Sequence, residues 1–297
     1  MEHISDSSRI RAAFAHCEEL ARRHYENFPV ASRFLPRAKR PLVAAVYAFA
    51  RVADDFADEG DRPPAERLAS LDDWLHKLDD CYAGRADHPV FIALAETAAR
   101  AEIPRQLFAD LLTAFRLDVT KSRFRASAEL LEYCSFSANP VGRIVLHIFD
   151  NATPRTFLLS DQICTGLQLA NFCQDVSVDW RKGHLYIPLE DLDRFGYTEE
   201  ALGQGIVDGR FTALMQMQVN RARNHLLEGR PLVHEAVPSL RFELALTVRG
   251  GLAILGAVEK KGWDVLHHRP ALSMMTKAAI VAAAFADGRA WKSPQPT

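Results

Sequence analysis

Leu42-Val-Ala-Ala-Val-Tyr47-Ala-Phe-Ala-Arg51-Val-Ala-Asp54-Asp55-Phe56-Ala-Asp58 decides the fold class of this chain. Its apolar residues recur at helical spacing. Offsets of four, three and four then set Tyr47, Arg51, Asp54 or Asp55, and Asp58 along one side of that helix, a side dense with charge.

The same logic returns much later in Gln168-Leu-Ala-Asn171-Phe-Cys-Gln174-Asp175-Val-Ser-Val-Asp179, where Gln168, Asn171, Asp175 and Asp179 form a second line. Like charges one turn apart weaken an isolated helix by roughly 0.2–0.5 kcal/mol per pair, so both lines call for a positive partner. Magnesium suits them, because it takes oxygen ligands and commonly bridges one or two carboxylates to substrate phosphates. Two facing ladders of this kind would hold a diphosphate between them. Acidic pairs at this spacing are often no more than a solvated helix face, and Asp72-Asp73 and Asp79-Asp80 are read that way. The second line differs because Leu167, Leu169, Ala170, Phe172 and Val176 surround it, a segment too apolar for an open surface.

The rest of the chain extends the helical reading. Most of the 15 prolines fall between periodic segments rich in Ala, Leu, Arg and Glu. Alternating Val/Ile/Thr runs with hairpin signals are scarce, so no sheet is predicted. Short connections are expected at Asp61–Pro64, Gly84–Pro89, Asn151–Pro154, Gly203–Gly209 and Glu228–Pro238. None reads as a domain boundary, so the 297 residues are expected to form one all-α domain, frayed over 1–11 and 293–297. The net charge of -2 carries no global basic field for a nucleic acid. Five cysteines without a C-x-x-C pair suggest neither a disulfide framework nor a zinc site, and fit a reducing cytoplasm. The longest small-apolar run, Ala278–Ala286, has nine residues, well short of the ~20 that span a bilayer.

These residues resemble the family of head-to-head prenyl synthases that make squalene, dehydrosqualene and phytoene. Tyr47-Ala-Phe-Ala-Arg51 with Asp54-Asp55-Phe56-Ala57-Asp58 resembles the family's first aspartate motif. Gln168-x-x-Asn171-x-x-x-Asp175-x-x-x-Asp179-x-x-x-Gly183-x-x-Tyr186-x-Pro188 resembles its second, a long and specific pattern. Between them, Asp118, Arg123-Phe124, Glu129-Leu130, Tyr133-Cys134 and Val141-Gly142 resemble the helices that line the isoprenoid channel. The resemblance implies a single helical bundle around a deep cavity, an isoprenoid diphosphate substrate and Mg²⁺ as cofactor. It implies Asp54, Asp58, Asn171, Asp175 and Asp179 as metal ligands, with Tyr47 and Tyr186 near the leaving group. Arg51, Gln168 and Gln174 fall at the diphosphate. His24, Phe28, Tyr133, Ser135, Ala138, Asn139 and Val141 fall along the isoprenoid.

Departures from the common pattern narrow the branch. Many relatives carry a small Ser-x-Ser-Phe after an N-terminal histidine, where this chain has His24-Tyr25-Glu26-Asn27-Phe28-Pro29. An arginine usually precedes the second motif's first aspartate, and here Gln174 stands there. Tyr-Cys-Tyr becomes Tyr133-Cys134-Ser135, and an Ala-Gly pair becomes Ala138-Asn139-Pro140. These variants resemble the hopanoid-pathway branch, the hydroxysqualene synthases, in which presqualene diphosphate loses diphosphate and water captures the rearranged cation. Gln174 removes a fixed cation beside the diphosphate, and Ser135 and Asn139 are expected to orient the quenching water. Presqualene diphosphate synthase and phytoene or dehydrosqualene synthase are the rivals within the class. A non-catalytic isoprenoid-binding or scaffold homologue is the rival outside it. The implied pathway suggests other squalene or hopanoid enzymes as partners, and lipid reactants suggest peripheral contact with the inner face of the membrane.

Other motifs carry less. No strand-linked G-x-G-x-x-G is present for a dinucleotide, and Gly250-Gly251 reads as a site of close helix packing. His267-His268 reads as surface, Arg37-Ala-Lys39-Arg40 as a solvated helix end, and Lys260-Lys261-Gly262-Trp263 as a helix C-terminus.

Overall fold

The computed structural model describes residues 6–23, 35–58 and 62–289. Their regular structure is helical, with one isolated bridge between Arg123 and Leu185 and no strand among the described residues. The all-α expectation therefore holds. The chain divides into two compact units, Met1–Lys121 with Pro140–Thr153 and Ser122–Asn139 with Pro154–Thr297.

The first unit holds α1 (Asp6–Arg23), α2 (Arg40–Asp58), α3 (Pro64–Tyr82), α4 (Pro89–Ala101), α5 (Arg105–Thr120) and nearly all of α7 (Asn139–Ile148). Its organising helix is α2, which packs on α1, α3, α4 and α5. Ala44, Ala45, Ala48, Ala53 and Ala57 are buried there, and their small side chains let neighbouring backbones come close. Phe49 is fully buried and meets Trp74, Phe91 and Phe108 with ring centroids 6.2, 5.9 and 5.3 Å away. Burying each such ring contributes about 1.5–3 kcal/mol. The Trp74 indole also donates to the Phe49 carbonyl at 3.3 Å, which fixes the rotation of α2 and hence the direction of its charged side. Helix α1 starts at Asp6, so the expected frayed lead-in over 1–11 is helical from that residue on.

In the second unit, α6 (Ser127–Ser137), α9 (Leu189–Arg194), α10 (Glu199–Gly203), α11 (Gly209–Gly229), α12 (Leu232–Glu235), α13 (Pro238–Lys260) and α14 (Met274–Arg289) accompany α8 (Pro154–Arg181). The 28-residue α8 is the spine, with α6, α11, α12 and α13 all against it. Two glycines show why they fit. A Cβ on Gly229 would lie 2.7 Å from the Ile163 nitrogen and the Leu159 carbonyl oxygen, and one on Gly251 would lie 2.9 Å from Leu167 Cδ2. The packing role expected for Gly250-Gly251 belongs to Gly251, because a Cβ on Gly250 meets open space. Asp191 is buried and accepts from Gln218 Nε2 at 2.8 Å and Arg221 Nη1 at 2.7 Å, binding α9 to α11. The expected connection Glu228–Pro238 contains the short α12. No helix among the described residues is long and apolar enough to cross a membrane.

Candidate active site

The first aspartate ladder lies on α2. Arg51 bridges to Asp54 Oδ2 at 3.2 Å and to Asp55 Oδ1 at 2.5 Å, so the acidic cluster carries its own counter-charge. Asp58 is exposed at the helix end, one turn past Asp54. Tyr47 lies one turn before Arg51, and burial pushes its phenol up while Arg51 pulls it the other way. Val141, on α7 in the same unit, is exposed. Asp72, Asp73, Asp79 and Asp80 pair with Arg116, Lys77, Arg105 and Arg85 on the outside of the unit, as a solvated face should.

The second ladder lies on α8. Asn171 Nδ2 donates to Asp175 Oδ2 at 3.1 Å, which orders the amide and the carboxylate along one line. An unexpected residue completes this ladder. Arg269, in the loop between α13 and α14, donates through Nε to Asp175 Oδ1 at 2.5 Å and through Nη2 to Oδ2 at 3.0 Å. Its neighbour Pro270 accepts from Gln174 Nε2 at 2.6 Å. Having glutamine at 174 therefore does not leave Asp175 without a fixed cation, because one arrives from the loop. That corrects the expectation for this position.

Beside the ladder stands an aromatic stack. Tyr186 lies over Phe172 with centroids 3.9 Å apart and planes 6° from parallel. Phe124, Tyr133 and His184 surround it at 5.7, 5.9 and 5.9 Å. Phe172 lies four residues after Gln168 and three before Asp175, so the stack and the polar line share one side of α8. Aromatic faces attract cations, and here they adjoin groups suited to holding an anion through a metal.

The squalene/phytoene synthase family profile matches residues 21–276. The chain belongs to the squalene/phytoene synthase family. It is 34% identical over 247 residues to hydroxysqualene synthase of Rhodopseudomonas palustris, covering 82% of this chain and 80% of that one. It is 32% identical over 283 residues to phytoene synthase of Mycobacterium tuberculosis, covering 93% and 92%. The crystal structure of squalene synthase HpnC from Alicyclobacillus acidocaldarius superposes with a TM-score of 0.82 at 38% identity, covering 86% of this chain and 96% of that one. The chain thus has the all-helical isoprenoid-synthase fold, and its activity class is that of the squalene/phytoene synthases.

For a synthase of this family the donor chemistry of the ladders fits a hard divalent cation. Every candidate ligand offers carboxylate or amide oxygen, with no thiolate or imidazole among them. Among the described residues no group of three acidic, His or Cys side chains closes around a point. A divalent ion held by the carboxylates of one ladder would take its remaining ligands from water and phosphate oxygen.

The remaining expected residues divide. Thr165 Oγ1 donates to Asn139 Oδ1 at 3.0 Å, a contact within the second unit. Ser135 is exposed and donates its hydroxyl to the Glu132 carbonyl at 2.6 Å, which leaves the oxygen lone pairs to accept. Ala138 is the half-buried residue that closes α6. His24 and Phe28 lie outside the described residues. Sequence reasoning missed Arg269 altogether and counted Phe172 only as apolar filling. The available signal for Phe172 was its shared face with Gln168 and Asp175.

Proposed function

We propose that this chain is a magnesium-dependent hydroxysqualene synthase that converts presqualene diphosphate and water to hydroxysqualene and diphosphate. In that reaction the ester C–O bond breaks with its electron pair leaving on diphosphate. The cyclopropylcarbinyl cation rearranges to an allylic cation, water adds through oxygen, and the added water loses one proton. Magnesium, held by the carboxylates of a ladder, would supply positive charge to the departing diphosphate. Gln168 and Asn171 orient the anion, and the Tyr186–Phe172 stack with Tyr133 gives the cation an aromatic face.

One observation carries the choice of branch. Gln174, the position at which this chain departs from the arginine of other branches, is engaged with the Pro270 carbonyl, and the cation on Asp175 comes from Arg269. The second ladder is thus wired as an alternative to the arginine-bearing one, and the likeness to a hydroxysqualene synthase agrees with it. Asn139, held by Thr165, is a polar residue that places the quenching water in this reading.

Incubation of purified protein and Mg²⁺ with presqualene diphosphate, and separately with farnesyl diphosphate, followed by mass spectrometry of the products, tests this reading. Hydroxysqualene from presqualene diphosphate is the expected product. Turnover of farnesyl or geranylgeranyl diphosphate, with presqualene diphosphate left untouched, assigns the chain to the condensing branch instead. No turnover of any of them assigns it a binding role.

A further inference from the structure

We propose that Arg269 is a built-in counter-cation for the second ladder, a guanidinium that occupies Asp175 before a metal arrives and competes with a divalent cation for it. The proposal rests on the reading of that ladder as a metal site, and it makes Arg269 a positioning residue that sets metal affinity.

Three observations carry it. Asp175 is mostly buried, with 13% of its side chain exposed, and another carboxylate, Asp179, follows one turn later. Bringing those charges together requires compensation, and the two-pronged guanidinium contact provides it with the strongest geometry available to a carboxylate. With Asn171 added, Asp175 accepts three donors, which leaves little of its lone-pair capacity free for a metal. A cation about 4 Å from a bound divalent ion also repels it by several kcal/mol at intermediate dielectric. The guanidinium must therefore shift before Asp175 ligates strongly.

The loop that carries Arg269 is built to hold it there. Gly262 and Trp263 take positive φ values of 66° and 69°, turning the chain sharply off the end of α13. Val265 is then fully buried, and Asp264 Oδ1 accepts from the backbone nitrogen of His267 at 3.1 Å and contacts its Nδ1 at 3.0 Å. The His267 ring rests over Gly205, where an added Cβ would come within 3.1 Å of Nε2. On the far side of Arg269, Gln174 grips the Pro270 carbonyl. Two successive residues of the ladder helix thus hold two successive residues of the loop. These anchors fix the backbone from which the arginine side chain reaches Asp175.

Calorimetric Mg²⁺ titration without any diphosphate, paired with thermal denaturation over the same metal range, tests the proposal on wild type, Arg269→Gln, Arg269→Lys and Asp175→Asn. Arg269→Gln should bind Mg²⁺ at least about fivefold more tightly than wild type. Its metal-free melting temperature should fall below wild type, with the gap closing as Mg²⁺ is added. Arg269→Lys keeps the charge without the fork and should lie between the two, and it serves if the glutamine variant does not fold. Unchanged or weaker Mg²⁺ binding in both Arg269 variants overturns the proposal while leaving the ladder reading intact. If Asp175→Asn binds Mg²⁺ as wild type does, the ladder is not the metal site, and both readings fail together.

Discussion

Glu243 buries both carboxylate oxygens on α13, and neither finds a hydrogen-bond partner among the described residues. Burial pushes its carboxyl up to about 8 from an ordinary 4.5. An acid that is harder to ionise in the folded chain than in the unfolded one favours folding less as it loses its proton. Stability should therefore decline as pH rises from about 4.5 through about 8. Glu243→Gln removes that linkage, and the variant should gain on wild type by about 2–4 kcal/mol between pH 5 and pH 9. Denaturant titrations at the two pH values check this, and parallel behaviour of the two proteins would refute it. Nothing in the pattern around Glu243 marks it as buried, since a lone glutamate in a helix reads as surface. The ladder aspartates were legible because one-turn spacing of acids is costly without a purpose. Arg269 was not, because 94 residues separate it from Asp175 and only the tertiary fold joins them. The backbone bond of Ser135 was not legible either, since composition does not reveal that a hydroxyl will bond back to its own helix.

At the scale of elements, α2 announced itself through an apolar stripe opposite a charged one. Helix α8 is less regular, because it is covered by α6, α11, α12 and α13 and so carries apolar residues on most sides. Its reading came from the polar line and the resemblance rather than from periodicity. Helix α12 escaped notice because four residues between prolines look like a turn. Glycines offer the sharpest test of the helix packing. Gly229→Ala would drive a methyl into the backbone of α8 at Leu159 and Ile163, and should cost about 1–3 kcal/mol. Gly250→Ala meets open space inside α13, and should instead stabilise by about 0.5–1 kcal/mol. Melting temperatures of the two variants should move in opposite directions. Equal shifts would contradict the packing described here.

For the whole molecule, fold class and family were readable from two motifs, because a diphosphate-handling site demands many polar residues at fixed helical spacing. The branch is harder to read, because one skeleton of ladders serves several products and the differences rest on single positions such as 174 and 139. Asn139→Ala should shift the products from alcohol toward hydrocarbon while leaving diphosphate release within about tenfold of wild type. Product ratios by mass spectrometry decide that point, and an unchanged ratio removes Asn139 from the quenching step. The most direct test of the central claim is the rate of diphosphate release from presqualene diphosphate in wild type, Asp54→Asn and Asp175→Asn, with Mg²⁺ present and with it chelated. Both substitutions and chelation should each slow release by about 10²-fold or more. Release that persists undiminished in either variant, or without the metal, would contradict the account.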